Sequence, residues 1–365
     1  FVPMSDTSTP PVEPDAPIAA GPDDGPAWTT SNPTRLMEIM QRLVGFPWML
    51  AKHRDLVTSS VRRELGARFQ GTLLGFLWPL VHPLFIFAVY YFIFTKLLSF
   101  KMPDLDESQE SAMGVYMFIG VVVWAAFGES LVRGCNIIVE NGNLIKKLAF
   151  PTETLPLNVV LVNVVTMLFG IAMFLVATFT TSVWPAPGVL LVWIPVLLFL
   201  QVMFTYGLVL LLSSMQVFLR DTAQVISILV TVWMFLTPLF WVPEAIPQIA
   251  AYYPYIEANP MNHIVHAWRE VLMGVEPVLQ SVMDFTNNNA IHFENVAITQ
   301  QVAELTAAGA PAADIAALEA SKWPVLDFKP NMVNSIRTFS YWAFGSFLLG
   351  FIFFGFAQRR FADEV

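Results

Sequence analysis

The chain has 365 residues, of which 56% are hydrophobic and 13% are charged, and its formal net charge is −9. A soluble domain carries about 25% charged residues. This composition therefore excludes an ordinary soluble fold and predicts an all-α integral membrane protein. The acidic balance gives no reason to expect nucleic acid as a partner, and the single cysteine, Cys135, excludes an internal disulfide.

Residues 1–34 are dominated by Pro, Asp, Ala, Gly, Ser and Thr, a composition that predicts a disordered tail. The tail lacks the short apolar core and the small-residue cleavage site of a signal peptide, so we expect none.

Residues 35–71 are basic and amphipathic, which predicts an interfacial helical region. Its apolar stripe recurs every four positions and consists of Val57, Val61, Leu65 and Phe69. Its cations are Arg54, Arg62, Arg63 and Arg68. They either anchor the region to lipid headgroups or receive a lipid diphosphate, because a planar guanidinium suits phosphate oxygens.

No charged residue lies between Glu153 and Arg220. This stretch is too long for a soluble core helix and suffices for two bilayer crossings, each of about 20 residues. The same criterion, applied to residues 72–242 and 337–365, predicts six spans. They lie at about 73–94, 112–132, 155–181, 189–212, 222–242 and 338–356.

Basic residues collect on one side of these spans, and acidic residues dominate the other side at 101–110 and 243–337. Cations favour the cytoplasmic side of a membrane protein. The basic side holds the cluster at 35–68 together with Lys146, Lys147, Arg220, Arg359 and Arg360. We therefore predict a multi-pass protein of the inner (plasma) membrane with both termini in the cytoplasm.

The outer side divides into two parts. Prolines interrupt an apolar, aromatic segment at 243–274, which predicts short re-entrant half-helices. Such backbone is tolerated in a membrane only where protein buries it or where it lines a cavity. Residues 275–336 predict a small periplasmic insert with short helices at 300–307 and 311–321, separated by Gly309.

The inner loop between the second and third spans carries a short basic segment that ends near Pro151, a helix stop. Its residues are Asn143, Leu144, Ile145, Lys146, Lys147 and Leu148. The spacing alone fits either a docking segment for a partner on that side or a loop whose cations only set topology.

Aromatic residues crowd the first and fifth spans, with Tyr90, Tyr91, Trp233 and Phe235 as the candidates for a substrate path. Sugars stack on flat ring faces, so these rings either line such a path or form ordinary interfacial and lipid-facing contacts. Glu129 and Arg133 have the spacing of an intrahelical ion pair. His263, His266 and Glu270 have a helical spacing that could hold a metal, but structural zinc usually takes four ligands, so no metal site is predicted.

Several segments resemble, in family order, permease subunits of polysaccharide-exporting ABC-2 transporters. Thr72, Leu74, Gly75, Trp78 and Pro83 fit the opening of the family's first span. Segment 143–151, followed by Glu153, resembles the family's cytoplasmic coupling segment. The remaining matches are 218–221, Thr237-Pro238, Asn259-Pro260, Arg269 and 361–363.

The resemblance implies a homodimer joined to two copies of an ATPase subunit. That subunit would bind ATP and Mg²⁺, so this chain would need no cofactor. It further implies that 143–148 couples to the ATPase and that a lipid-linked polysaccharide, such as O-antigen, passes an aromatic-lined channel. The resemblance also implies that the re-entrant half-helices at 243–274 are two gate helices. The sequence itself contains no Gly-x-x-x-x-Gly-Lys-Ser/Thr loop. The insert at 275–336 is longer than the family leads us to expect.

Two other functions fit a polytopic chain. One is a glycan-transferring enzyme, whose candidate residues are His263, His266, Arg269 and Glu270. The other is a small-molecule ABC-2 exporter.

Overall fold

The computed structural model describes residues 33–69, 71, 78, 81, 84–85, 88–89, 92–93, 110–147, 151–181, 187–241, 243, 252–273, 290–309, 311–320 and 332–364. Every regular element in these ranges is a helix, which confirms the all-α prediction. The first seven α-helices are α1 (Pro33–Lys52), α2 (Arg54–Phe69), α3 (Glu110–Glu140), α4 (Gly142–Lys147), α5 (Thr154–Thr181), α6 (Ile194–Phe218) and α7 (Thr222–Leu236). The others are α8 (Tyr253–Glu257), α9 (Pro260–Met273), α10 (Ala290–Ala307), α11 (Ala312–Ala320), α12 (Met332–Ala357) and α13 (Phe361–Glu364).

Four helical segments in the described ranges are long and apolar enough to cross a membrane. They are Gly114–Glu140, Thr154–Thr180, Val189–Phe218 and Met332–Arg360. These segments match the second, third, fourth and sixth predicted spans, and they make the chain a multi-pass membrane protein. The first predicted span, 73–94, lies largely outside the described residues, so the count of six stays a prediction.

The fifth predicted span is shorter than expected. Its helix, α7, has 15 residues and ends at Leu236, whereas the sequence prediction extended to 242. Pro238 explains the difference, because its ring disfavours a helical conformation in the preceding residue and it lacks an N–H. Beyond the helix end, residues 237–240 are buried.

The amphipathic region consists of two helices that meet at His53, whose backbone N–H donates to the carbonyl of Met49 at 3.0 Å. In α2, Val57 is buried and its stripe partners Val61 and Leu65 are partly buried, as the four-residue spacing predicts. In α1, buried apolar side chains face α12, while Val44 and Trp48 are each 79% exposed. Helix α1 therefore has an apolar face on both sides, one toward the protein and one toward its surroundings.

The core lies where α3, α5, α6, α9 and α12 pack together. Large aromatic rings fill it. Phe127 of α3 stacks on Phe204 of α6 at 5.6 Å between ring centroids, and Phe204 meets Phe339 of α12 edge-on at 5.1 Å. Helix α9 is buried over most of its length, and Trp268 within it is fully buried.

Helices α6 and α12 cross at two glycines. A Cβ atom added at Gly207 would overlap the backbone of Ser346 and Phe347, and one added at Gly350 would overlap the backbone of Gly207. The two backbones therefore touch directly, an approach that only residues without a side chain allow.

The segment predicted to lie on the outer side also contains helices. Helices α8 and α9 lie within 243–274, and α10 and α11 are separated by Gly309, which has a φ of +72°. Helix α10 begins earlier than expected, at Ala290. That α8 and α9 re-enter the membrane stays a prediction.

Candidate functional site

The loop from α3 to α5 is held by its own side chains. The Asn141 amide donates to the carbonyl of Ile137 at 2.8 Å, and the Asn141 carbonyl accepts the backbone N–H groups that open α4. At the other end, the Thr154 hydroxyl donates to the carbonyl of Pro151 at 2.7 Å. These bonds satisfy backbone groups that helix ends leave without partners, so they stabilise the described ends of the loop, 141–147 and 151–154.

Helix α4 has a polar exposed face and an apolar covered face. Asn143 and Lys146 are exposed, whereas Leu144 and Ile145 are half-buried and pack against the core of the same chain. Lys147 ends the helix, and Leu148 lies outside the described residues. A partner approaching this loop would therefore meet Asn143 and Lys146 first.

The four arginines of α2 do not form one patch. Arg54, Arg62 and Arg63 are exposed, and Arg54 lies 3.8 Å from the exposed carboxylate of Asp55. The side chain of Arg68, by contrast, is only 14% exposed and turns into the protein. The three exposed cations remain candidates for headgroups or a lipid diphosphate, while Arg68 already has internal partners.

Arg68 joins three helices. Its guanidinium lies 3.3 Å from the Glu129 carboxylate of α3, and it donates to the amide oxygen of Asn163 on α5 from two nitrogens, each at 3.1 Å. The Asn163 amide in turn donates to the Ser130 hydroxyl at 3.0 Å. Burial lowers the pKa of the Arg68 guanidinium, and the charge of Glu129 opposes that shift. The network ties the surface helix α2 to two spans.

Glu129 also pairs with Arg133 at 3.6 Å, which confirms the predicted intrahelical pair, and Arg133 continues the network to Glu64 on α2 at 3.4 Å. Beside this chain of charges, a cavity of about 860 Å³ opens between α2, α3, α4 and α5. Asn158 lines it, is only 5% exposed, and its side-chain oxygen has no hydrogen-bond partner in the described structure. The cavity therefore offers a hydrogen-bond acceptor next to the inner loop.

The four residues predicted to line the aromatic path differ in their surroundings. Tyr90 and Tyr91 lie outside the described residues. Trp233 packs edge-on against Phe127 at 5.2 Å between ring centroids, and Phe235 is 52% exposed. Of the described pair, Trp233 packs within the protein and Phe235 is the ring that faces outward.

The end of α7 is stabilised by two polar side chains from the following segment. The Asn259 oxygen accepts from the Trp233 indole at 2.9 Å, and its amide donates to the Thr237 hydroxyl at 3.0 Å. Arg269 donates to the carbonyls of Pro238, Leu239 and Tyr116 at 2.8, 3.1 and 3.1 Å, and its guanidinium lies 3.3 Å from the centroid of the Tyr116 ring. Arg269 thereby provides hydrogen bonds for the carbonyls of Pro238 and Leu239, which follow the end of α7, and ties them to α3 through Tyr116.

The residues of α9 considered for metal binding or catalysis each contact different groups. His263 hydrogen-bonds the carbonyl of Glu257 at 2.6 Å, whereas His266 lies 3.8 Å from the buried carboxylate of Glu270. Within the described part of the chain, no group of three or more His, Cys, Asp or Glu side chains could hold a metal ion. Arg269, the fourth candidate residue of the glycan-transferring enzyme hypothesis, hydrogen-bonds backbone carbonyls.

The family model of the ABC-2 type transporter matches residues 55–273, more than half of the chain. The chain belongs to the ABC-2 type transporter family. This confirms the resemblance found in the sequence, and the matched range runs from α2 to the end of α9.

Individual proteins give the same result. The chain is 30% identical over 235 residues to the O-antigen export system permease protein RfbA of Myxococcus xanthus, covering 63% of this chain and 86% of that protein. It is 27% identical over 221 residues to a Klebsiella pneumoniae protein of the same name, covering 60% of this chain and 81% of the relative. This ABC-2 chain is thus similar to permeases over most of their length.

Two polar side chains that link distant parts of this ABC-2 chain, Asn163 and Gln358, were not predicted from the sequence. Asn163 is an amide within an apolar span, and a search for polar residues at membrane depth would have found it. Gln358 lies at the end of the last span, Met332–Arg360, and donates to the Thr152 hydroxyl at 2.8 Å. No sequence pattern signals that second contact, because its partners lie far apart in the chain.

Proposed function

We propose that this chain is the membrane-spanning permease subunit of an ABC exporter that carries a lipid-linked polysaccharide across the inner membrane. O-antigen is the best-supported cargo class. The observation that carries the proposal is the similarity to O-antigen export permeases over 86% of the Myxococcus xanthus protein. ATP hydrolysis belongs to a separate subunit that binds ATP and Mg²⁺, since this sequence has no phosphate-binding loop.

Deleting the gene and examining surface glycans tests this proposal. Loss of surface polysaccharide with accumulation of the lipid-linked form inside the cell supports it. Normal surface glycan in the deletion strain would contradict polysaccharide export. Copurification with the soluble proteins encoded nearby distinguishes the alternatives. A glycan-transferring enzyme would copurify with no ATPase. A small-molecule exporter would copurify with an ATPase whose hydrolysis rate glycan does not stimulate.

The exposed face of α4 is the proposed contact with the ATPase. Asn143 and Lys146 point outward, while Leu144 and Ile145 support the helix from within. Asn143→Asp with Lys146→Glu is expected to reduce copurification of the ATPase by at least about tenfold, because like or unpaired charges at an interface cost several kcal/mol. Arg220→Glu reverses another exposed cation predicted to lie on the same side and serves as the control. Full copurification with the double variant would show that 143–148 only sets topology.

A homodimer is proposed to form along α7. Its exposed apolar row includes Ile228, Leu229, Val232 and Phe235, at the spacing of one helix face. In a Cys135→Ala background, Ile228→Cys is expected to form a disulfide between two copies. Ser227→Cys, at an exposed position of the same helix that is rotated about 100° away from Ile228, is the control. If the control crosslinks as well as Ile228→Cys, the dimer does not use this row.

The substrate path is proposed to include Phe235, with Tyr90, Tyr91 and Trp233 as further members. Ring faces bind sugars weakly, which lets a polymer advance. Phe235→Ala is expected to reduce surface glycan severalfold at normal protein abundance. Unchanged export would make Phe235 a lipid-facing or packing residue.

Both termini are proposed to lie in the cytoplasm. Ala20→Cys and Arg359→Cys should resist an impermeant thiol reagent in intact cells, and Glu304→Cys should react. Native Cys135 is buried and does not interfere. Reaction at residue 20 or 359 would contradict the proposed orientation.

Membrane lipids are the remaining partner. Arg54, Arg62 and Arg63 are proposed to bind headgroups or a lipid diphosphate, with Arg68 supporting α2 from inside. Replacing the three exposed cations by Gln should weaken binding of the purified chain to anionic vesicles, and unchanged binding would remove this role.

A further inference from the structure

The last residues of the chain reach back to the inner loop. Helix α12 continues into a 3-10 turn, Gln358–Arg360, and then into α13. Helix α13 packs on α4 and on α6. The end of the last span therefore contacts the helix proposed to meet the ATPase.

Gln358 links three separate parts of the chain through one amide. Its nitrogen donates to the hydroxyl of Thr152 at 2.8 Å, and its oxygen accepts from Arg42 of α1 at 3.1 Å. Thr152 is only 6% exposed and lies immediately before α5, where the inner loop ends. Arg42 also lies 4.0 Å from the carboxylate of Glu153.

Phe361 anchors α13, the part of the C-terminal segment that contacts α4. It is fully buried and meets Phe354 of α12 edge-on at 5.2 Å between ring centroids. Helix α4 has only six residues, and helices this short are not stable alone because nucleation outweighs the few bonds they close. The position of α4 must therefore come from what packs against it, and α13 is one of those elements.

We propose that the C-terminal segment Gln358–Glu364 positions the inner loop for its partner, with Gln358 and Phe361 as the positioning residues. The inference rests on the proposed function, since it assigns the loop a partner ATPase. Through these contacts a displacement of α4 reaches α13, and from α13 it reaches both α6 and α12. Because α6 and α12 touch at Gly207 and Gly350, the two spans respond as one unit.

The test uses the full complex of the chain with its ATPase in membranes, with Gln358→Ala and Phe361→Ala as variants. Arg359→Ala is the matched control, because Arg359 lies in the same turn but forms an exposed ion pair with Glu38 at 2.9 Å. A photo-crosslinker at the exposed position 143 reports how α4 meets the ATPase. We expect crosslinking per copy and glycan exported per ATP hydrolysed to fall about tenfold in both variants, and to stay near wild type in the control.

Phe361→Leu restores an apolar side chain and should recover most of the coupling. If Phe361→Ala fails to accumulate, Gln358→Ala decides alone, because it removes hydrogen bonds without opening the core. Thr152→Ala should reproduce the effect of Gln358→Ala, and combining the two should add little if they act through one bond.

Wild-type crosslinking and coupling in Gln358→Ala at normal abundance would overturn the proposal. A purely structural role is excluded if abundance and thermal stability are unchanged while crosslinking falls. Failure of the proposed function gives a different result from failure of this inference, because in that case even the wild-type chain copurifies with no ATPase.

Discussion

A single methyl group at the crossing of α6 and α12 is expected to destabilise the whole transmembrane bundle. Gly207→Ala places a Cβ atom against the backbone of Ser346 and Phe347, and Gly350→Ala places one against the backbone of Gly207. A backbone atom cannot rotate away as a flexible side chain can, so the helices must separate. We expect a loss of about 3 kcal/mol for each change, the upper part of the usual range for overpacking.

Gly345→Ala is the matched control for this pair. It lies on α12 as well, but a Cβ atom there meets nothing within 4 Å. Thermal unfolding in detergent and membrane abundance are the measurements. Equal stability of Gly350→Ala and Gly345→Ala would show that the two backbones are not in contact.

Loss of the Arg269 guanidinium is expected to open the structure around the end of α7. Arg269→Ala removes the guanidinium hydrogen bonds to three carbonyls and the cation over the Tyr116 ring. The Pro238 carbonyl keeps the Tyr116 hydroxyl as a second donor at 3.4 Å. Hydrogen bonds to a charged group contribute about 1.5–3 kcal/mol each, and a buried carbonyl left without a partner costs more than an exposed one. We expect the free energy of unfolding to fall by about 3 kcal/mol or more.

Lysine cannot replace this arginine, because its ammonium is compact and lacks the planar fork that reaches several carbonyls at once. Arg269→Lys should therefore recover little, and Arg337→Ala, at an exposed position of α12, should cost almost nothing. If Arg269→Ala matched Arg337→Ala in stability, the hydrogen bonds of Arg269 would contribute nothing to the stability of the fold.

Membrane-spanning helices could be predicted well from stretches of the sequence that contain no charged residues. The stretch between Glu153 and Arg220 predicted α5 and α6 because burying a charge in hydrocarbon is costly. The end of α7 was placed too late because apolar character continues to Val242, and hydropathy does not register a helix end. Pro238 carried the needed signal.

The site was harder to predict, since it depends on contacts between distant residues. Arg68 belongs by composition to a basic surface cluster, yet it binds Asn163, which follows it by 95 positions. Similarly, a six-residue helix is too short for periodicity to show which of Leu144 and Lys146 is covered. The packing of the neighbouring helices determines which of these side chains are buried.

The shortness of α7 has a consequence for the bilayer itself. Fifteen residues span roughly 22 Å at 1.5 Å per residue, whereas the hydrocarbon core is about 30 Å thick. In the predicted fifth crossing, the irregular residues 237–240 would complete the span, and their burial meets the requirement that such backbone be covered by protein. In a single copy, lipid beside α7 would meet a shorter hydrophobic surface than lipid beside α12, and the mismatch would favour either a locally thinned membrane or the proposed pairing of two copies along α7.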